Sequence, residues 1–294
     1  MCLFRLALFS RAAVVSLGLM AVGSVAVPGA SAAGPVRCGG TVTANLVLDR
    51  DLLDCSGDGL RIRADNITID LNRHIIDGNG STASAGIRIA GHSGVTVKGG
   101  VIREFGLGVV ASDAPNTRVV ANTIVRDVAE GVLGEASSSG TLIQGNRVSE
   151  SGTLLPGQKA APANEWADGI DVRGAGAQII GNTVTKSKDD GIDASGPGAK
   201  VVNNLTTNNG VGSTSADGID VDGIGTLIQQ NTATGNGDDG IGIGLHAERP
   251  TIRNNTANNN HDYGIQATKD TIDGGGNMAR SNGAAGQCKN VTCR

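Results

Sequence analysis

The sequence predicts an all-β chain wound as a right-handed parallel β-helix, a solenoid of about nine coils. Three observations predict it. A Gly followed by alternating aliphatic residues recurs nine times, Asn returns at one fixed place in the repeat, and aromatic residues make up only 2% of the 294 residues. A core so poor in aromatics must be filled by Val, Ile, Leu and Ala, which suits short stacked strands better than a large layered fold.

Residues 1–32 read as a signal peptide. Arg5 and Arg11 give a basic start, Ala12 to Val27 is an apolar stretch shorter than a bilayer span, and Ala30-Ser31-Ala32 is a small-x-small cleavage site. Export to the extracellular side is therefore expected, and no later stretch is long and apolar enough to span a membrane. Without the leader, Cys38, Cys55, Cys288 and Cys293 remain. An even number in an exported chain suggests disulfides. A long solenoid holds its two ends apart, so Cys38–Cys55 and Cys288–Cys293 are the expected pairs, each stapling one end.

The coils begin at Gly59 (GLRI), Gly86 (GIRI), Gly108 (GVVA), Gly131 (GVLG), Gly169 (GIDV), Gly191 (GIDA), Gly218 (GIDV), Gly240 (GIGI) and Gly264 (GIQA). Their spacings are 27, 22, 23, 38, 22, 27, 22 and 24. A second short strand follows each, as at Ile179-Ile180 and Leu227-Ile228, and then a third, as at Thr183-Val184-Thr185. One such coil cannot bury its own apolar face, so coils stack at about 4.8 Å and pair strand on strand. Asn122, Asn146, Asn182, Asn204, Asn231, Asn255 and Asn277 each precede the third strand. Asn tolerates left-handed turns and can bond up the stack, so these residues are expected to form a structural ladder. The β-helix is expected over 59–282, with 33–58 and 283–294 as caps over its open strand edges.

Two of the long intervals carry insertions. The 38-residue one holds an insertion from Thr153 to Glu165, and the 27-residue one before Gly218 holds Gly210 to Ser215. Insertions in solenoids form loops, often on the binding face. Both flank an acidic stretch. In each Gly-Ile-x-Val strand the aliphatic residues point inward and x points outward. The x positions run Arg61, Arg88, Val110, Leu133, Asp171, Asp193, Asp220, Gly242 and Gln266. The residue before the Gly is also acidic at Asp168, Asp190, Asp217 and Asp239, with Asp189, Asp222 and Asp238 beside them. Residues 165–245 hold eleven acids against four bases, a net of −7, while the mature chain as a whole carries only −6. Asp before Gly is ordinary turn chemistry. Asp inside a strand is disfavoured, and like charges facing each other destabilise, so Asp171, Asp193 and Asp220 call for a cation or a function. Ca2+ suits such a cluster, because it takes 6–8 oxygen ligands in tolerant geometry. The metal candidates are Asp168, Asp189, Asp190, Asp193, Asp217 and Asp220.

The repeats from Gly59 to Gly283 resemble the pectate-lyase-like right-handed β-helix superfamily. Within them, Ala167-Asp168-Gly169 followed by Asp189-Asp190-Gly191-Ile192-Asp193 resembles the calcium site of family 9 polysaccharide lyases. That resemblance implies Ca2+ ligands at Asp168, Asp189, Asp190 and Asp193, and proton abstraction from a uronate by a nearby lysine. No lysine occupies the motif position; Arg173 and Lys188 are the candidate cations close to it. Asp168, Asp189 and Asp190 also resemble the acid and base carboxylates of family 28 glycoside hydrolases, without that family's Gly-His-Gly and Arg-x-Lys motifs. C5-epimerisation of uronates shares the lyases' proton abstraction and is a further reading. Trp166 ends the insertion two residues before Asp168, and with Asp171 and Asp220 it is a candidate for substrate binding. The expected partner is an anionic polysaccharide, acted on by a lyase, epimerase or hydrolase, or bound without catalysis. The acidity argues against nucleic acid.

Overall fold

The computed structural model describes residues 36–156 and 167–294. The leader, Trp166 and most of the long insertion lie outside the described residues. Residues Ala33–Arg294 form one compact unit. It is all-β. Among the described residues, 31 short strands fall into three parallel sheets of 11, 10 and 10 strands, and each sheet takes every third strand in chain order. The chain therefore makes ten three-stranded turns and starts another. The turn beyond the nine expected comes from Gly40–Val42, Leu46–Val47 and Leu52–Cys55, which supply the first strand of each sheet. They lack the Gly-aliphatic signature, because the first coil stacks on one side only.

Register explains the core. Leu60, Ile87, Val109, Val132, Ile170, Ile192, Ile219, Ile241 and Ile265 follow one another up the first sheet. All are buried, so each coil sets its aliphatic residue on the one below. Burial of each such side chain contributes roughly 1.5–3 kcal/mol. The Gly opening each strand is a packing requirement: a Cβ on Gly169 would lie 2.1 Å from Cγ1 of Val184 and 2.7 Å from the carbonyl oxygen of Gly191.

The Asn ladder is continuous from Asn122 to Asn277. In each rung the backbone N–H and Nδ2 both donate to Oδ1 of the next Asn, as from Asn182 to Asn204 at 2.9 and 3.0 Å. Nδ2 of Asn182 also donates back to the carbonyl of Ile143 at 2.9 Å. One of the two expected reasons for Asn holds and the other moves by one residue. The left-handed position is the one before the ladder, occupied by Ala121, Asn203, Gln230 and Asn254 at φ of 54–58° and by Gly145 and Gly181 at 65°. A second ladder, Asn209, Asn236, Asn260 and Asn282, lines the corner between the third and first sheets. The disulfides are Cys38–Cys55 and Cys288–Cys293, one at each end. Among the described residues no helix is long and apolar enough to cross a membrane.

The outward face of the first sheet is less open than its strand alternation implies. Val110 and Leu133 are buried and form, with Ala85 and Leu107, a small apolar cluster separate from the core. Asp171 follows Leu133 in register and its side chain is wholly buried.

Candidate metal centre

Two columns of carboxylates meet on the coils from Asp168 to Asp239. The first stands at the corner entering the first sheet, on the residue before each Gly. Each of these carboxylates accepts a backbone N–H from the equivalent residue one coil on. Asp168 Oδ1 accepts from Asp190 at 3.0 Å, Asp190 Oδ1 from Asp217, Asp217 Oδ1 from Asp239 at 2.8 Å, and Asp239 Oδ1 from Tyr263 at 2.7 Å. Asp58 does the same for Ala85 at the other end of the solenoid. The corner acids are thus a carboxylate counterpart of the Asn ladders, built with one oxygen each. Glu130 holds the equivalent place one coil before Asp168 and is buried; matching the residue before Gly131 would have found it.

The second column is the strand acids. Asp171, Asp193 and Asp220 stack in direct register. Asp171 is gripped by Arg173, whose Nε donates to Oδ1 at 3.2 Å and whose Nη2 donates to Oδ2. Asp193 has no such partner: its Oδ1 is buried and accepts no hydrogen bond.

The two columns converge on Asp168. One oxygen each from Asp168, Asp171 and Asp193 lie within 4.8 Å of one another, and the same holds for Asp168, Asp189 and Asp190. Asp217 and Asp220, expected beside them, join neither group. A further trio, Asp238, Asp239 and Asp262, lies two coils on. Gly242 leaves the space for Asp217, since a Cβ there would lie 1.8 Å from Asp217 Oδ2.

Crowding of acids out of water drives their titration up. Asp168 is pushed to about 9, first by burial and then by Asp193, Asp171, Asp189 and Glu130. Asp193 is pushed to about 8 by burial, Asp171 and Asp220. Asp190 and Asp217 are driven well above the carboxylate range, mainly by burial. Asp220 and Asp239 reach about 6 for the same first reason. Asp171 is raised by burial, against the opposing pull of Arg173. Arg173 is itself held more firmly as a cation by Asp171. Lys188 is exposed, and its stem lies over Gly152, where a Cβ would meet Lys188 Cβ at 2.5 Å.

A divalent cation fits this donor set. It would supply the positive charge that five clustered carboxyls lack, and it would satisfy the partnerless Oδ1 of Asp193. All the donors are hard carboxylate oxygens, which suits Ca2+ better than a nitrogen- or sulfur-seeking metal.

Comparison with known proteins agrees on the architecture. The fold is similar to that of pectate lyase Pel9A, at 15% identity and a TM-score of 0.57, over 88% of this chain and 69% of that one. It is similar to alginate lyase from Paenibacillus sp. str. FPU-7, at 15% identity and 0.57, over 87% and 98%. It is similar to the Azotobacter vinelandii mannuronan C-5 epimerase AlgE4 A-module, at 14% identity and 0.53, over 87% and 78%. At these identities the likeness is one of fold. No match was found among curated protein sequences. The family model described as right handed beta helix region matches residues 131–290, more than half of the 294, and the chain belongs to that family.

Proposed function

We propose that this chain is an exported carbohydrate-active protein. It binds Ca2+ through Asp168, Asp171, Asp189, Asp190 and Asp193, and it acts on an acidic, uronate-containing polysaccharide by lyase or C5-epimerase chemistry. One observation carries the reading: two carboxylate trios share Asp168, and Asp193, a member of one of them, has a buried Oδ1 without a partner. The names of the fold neighbours, a pectate lyase, an alginate lyase and a mannuronan epimerase, support the substrate class. The domain bounds that go with this reading are a leader over 1–32, an N-terminal cap over 33–58 that doubles as the first coil, the β-helix over 59–282 and a C-terminal cap over 283–294.

Ca2+ held by these carboxylates would offset the charge of a uronate carboxylate and so acidify the adjacent α-proton. The chain's own groups do the rest. Asp171 fixes the guanidinium of Arg173 at the edge of the cluster, where it pairs with a sugar carboxylate. Lys188, next to Asp189 in the chain, is the candidate proton acceptor; Arg173 is too firmly protonated for that role. A hydrolase acid–base pair fits poorly. Inverting enzymes hold their carboxyls roughly 6.5–9.5 Å apart to admit a water, whereas one oxygen each from Asp168, Asp189 and Asp190 lie within 4.8 Å of one another, close enough to share a cation. The engagement of Arg173 by Asp171 favours a second reading, non-catalytic binding of the same polymer.

Titration calorimetry with Ca2+ tests the site, on the intact protein and on Asp190→Ala/Asp193→Ala. Binding lost in the double variant is expected. Incubation with polygalacturonate and alginate then separates the chemistries: unsaturated ends indicate a lyase, inverted C5 configuration by NMR an epimerase, and binding alone the second reading. Absence of Ca2+ binding to the intact protein refutes the proposal.

A further inference from the structure

The outer column of the first sheet continues past the acidic coils toward the C-terminal cap. From Asp193 it runs in register through Asp220, Gly242 and Gln266 to Lys289. Four coil steps put Lys289 about 19 Å from Asp193. Among the described residues, the cations earlier on this face are already matched. Arg61 and Arg88 both bind Asp58, and Arg173 binds Asp171. Lys289 forms no ion pair with a described carboxylate.

Lys289 is nevertheless held in place. Its Nζ donates to Gln266 Oε1 at 2.8 Å and lies 5.8 Å from the centre of the Tyr263 ring. Gln266 cannot turn its amide round, because its Nε2 donates to Asp239 Oδ2 at 2.7 Å. A carboxylate only accepts, so the amide nitrogen must face Asp239 and the oxygen must face the lysine. Asp239 is fixed in turn by the Tyr263 N–H. The strand bearing Lys289, Cys288–Lys289, is tied down by the Cys288–Cys293 disulfide. The ammonium thus has one donor spent on a neutral group and two left for a ligand.

We infer that Lys289 is a carboxylate subsite, and that an acidic polysaccharide lies along the first sheet from the Asp193 coil toward the C-terminal cap. This rests on the function proposed above and adds to it a direction and a specificity-determining residue. A linked pyranose advances about as far as one coil, so a polymer centred on the acidic cluster brings a carboxylate to Lys289 only when it is several sugars long. Gly242 keeps the floor between the two points low, its missing side chain giving way to Asp217.

Calorimetry with Ca2+ and oligogalacturonates or oligomannuronates from trimer to octamer tests this, on the intact protein, Lys289→Gln and Lys289→Arg. Affinity of the intact protein should step up once the oligomer reaches Lys289. Lys289→Gln should lose that step, about fivefold to tenfold, while trimers bind as before and Lys289→Arg keeps it. Lys289→Gln matching the intact protein at every length overturns the subsite and leaves the proposed function standing. An intact protein that binds no oligouronate at any length overturns both.

Discussion

Replacing Asp193 by Asn should make the metal-free protein more stable and at the same time blind it to Ca2+. The carboxyl of Asp193 titrates at about 8 in the fold against 3.8 ordinarily, through burial and the charges of Asp171 and Asp220. A raised acid contributes its full stability below the unfolded value, where both states carry the proton. That contribution is lost as pH climbs from 3.8 to about 8. At pH 7 the loss is about 4 kcal/mol, at 1.36 kcal/mol per pH unit, or about 2 after relaxation and solvent screening. Asn has the same shape without the charge, so Asp193→Asn should recover about 2 kcal/mol at pH 7 in chelator and almost nothing at pH 4. Ca2+ at a hundred times its Kd should add about 2.7 kcal/mol to the wild-type protein and far less to the variant. Urea unfolding at both pH values, with chelator and with Ca2+, measures all four terms. A variant destabilised in chelator at pH 7, or one still stabilised by Ca2+ as the wild type is, refutes the reasoning.

Three further outcomes are expected. Asn204→Ala removes two donated bonds, to Ile179 and Asn231, and strips Asn182 of its acceptor in a buried corner; it should cost about 3 kcal/mol in urea, and a loss under 1 would mean the ladder is decorative. Gly242→Ala drives a methyl to 1.8 Å from Asp217 Oδ2. It should lower stability by about 1–3 kcal/mol, and an unchanged melting temperature would show that Asp217 moves aside freely. Replacing Cys38 and Cys55 by Ser, which opens a bridge across a 17-residue separation, should cost about 3 kcal/mol in thermal melts; an unchanged melting temperature would show that the first coil holds without its staple.

Much of the fold was legible because a solenoid repeats its own evidence. Each coil must present Gly where the next coil's backbone passes, an aliphatic residue where the core lies and Asn where the corner turns. The same spacing, counted along the chain, yields the register of all three sheets. The first coil escaped that count, since Gly40–Val42 has a neighbour on one side only. The second ladder escaped it too, because Asp127, Ser151 and Ser187 stand at its corner on the earlier coils and break the Asn pattern.

The sequence by itself determined that acids cluster on consecutive coils, since carboxylates at the same point of a repeat must stack. It also determined the cysteine pairing, since the ends of a rod cannot meet. Only the tertiary structure decided what each carboxylate does. Asp168, Asp190 and Asp217 each spend one oxygen on a neighbouring backbone N–H, Asp171 is taken by Arg173, and Asp193 is left with a buried oxygen and no partner. The physical reason is that spacing along the chain fixes which coil a residue occupies. The direction of an oxygen and its access to water depend on neighbours that are distant in sequence, such as Asp190 to Asp168 or Gln266 to Asp239.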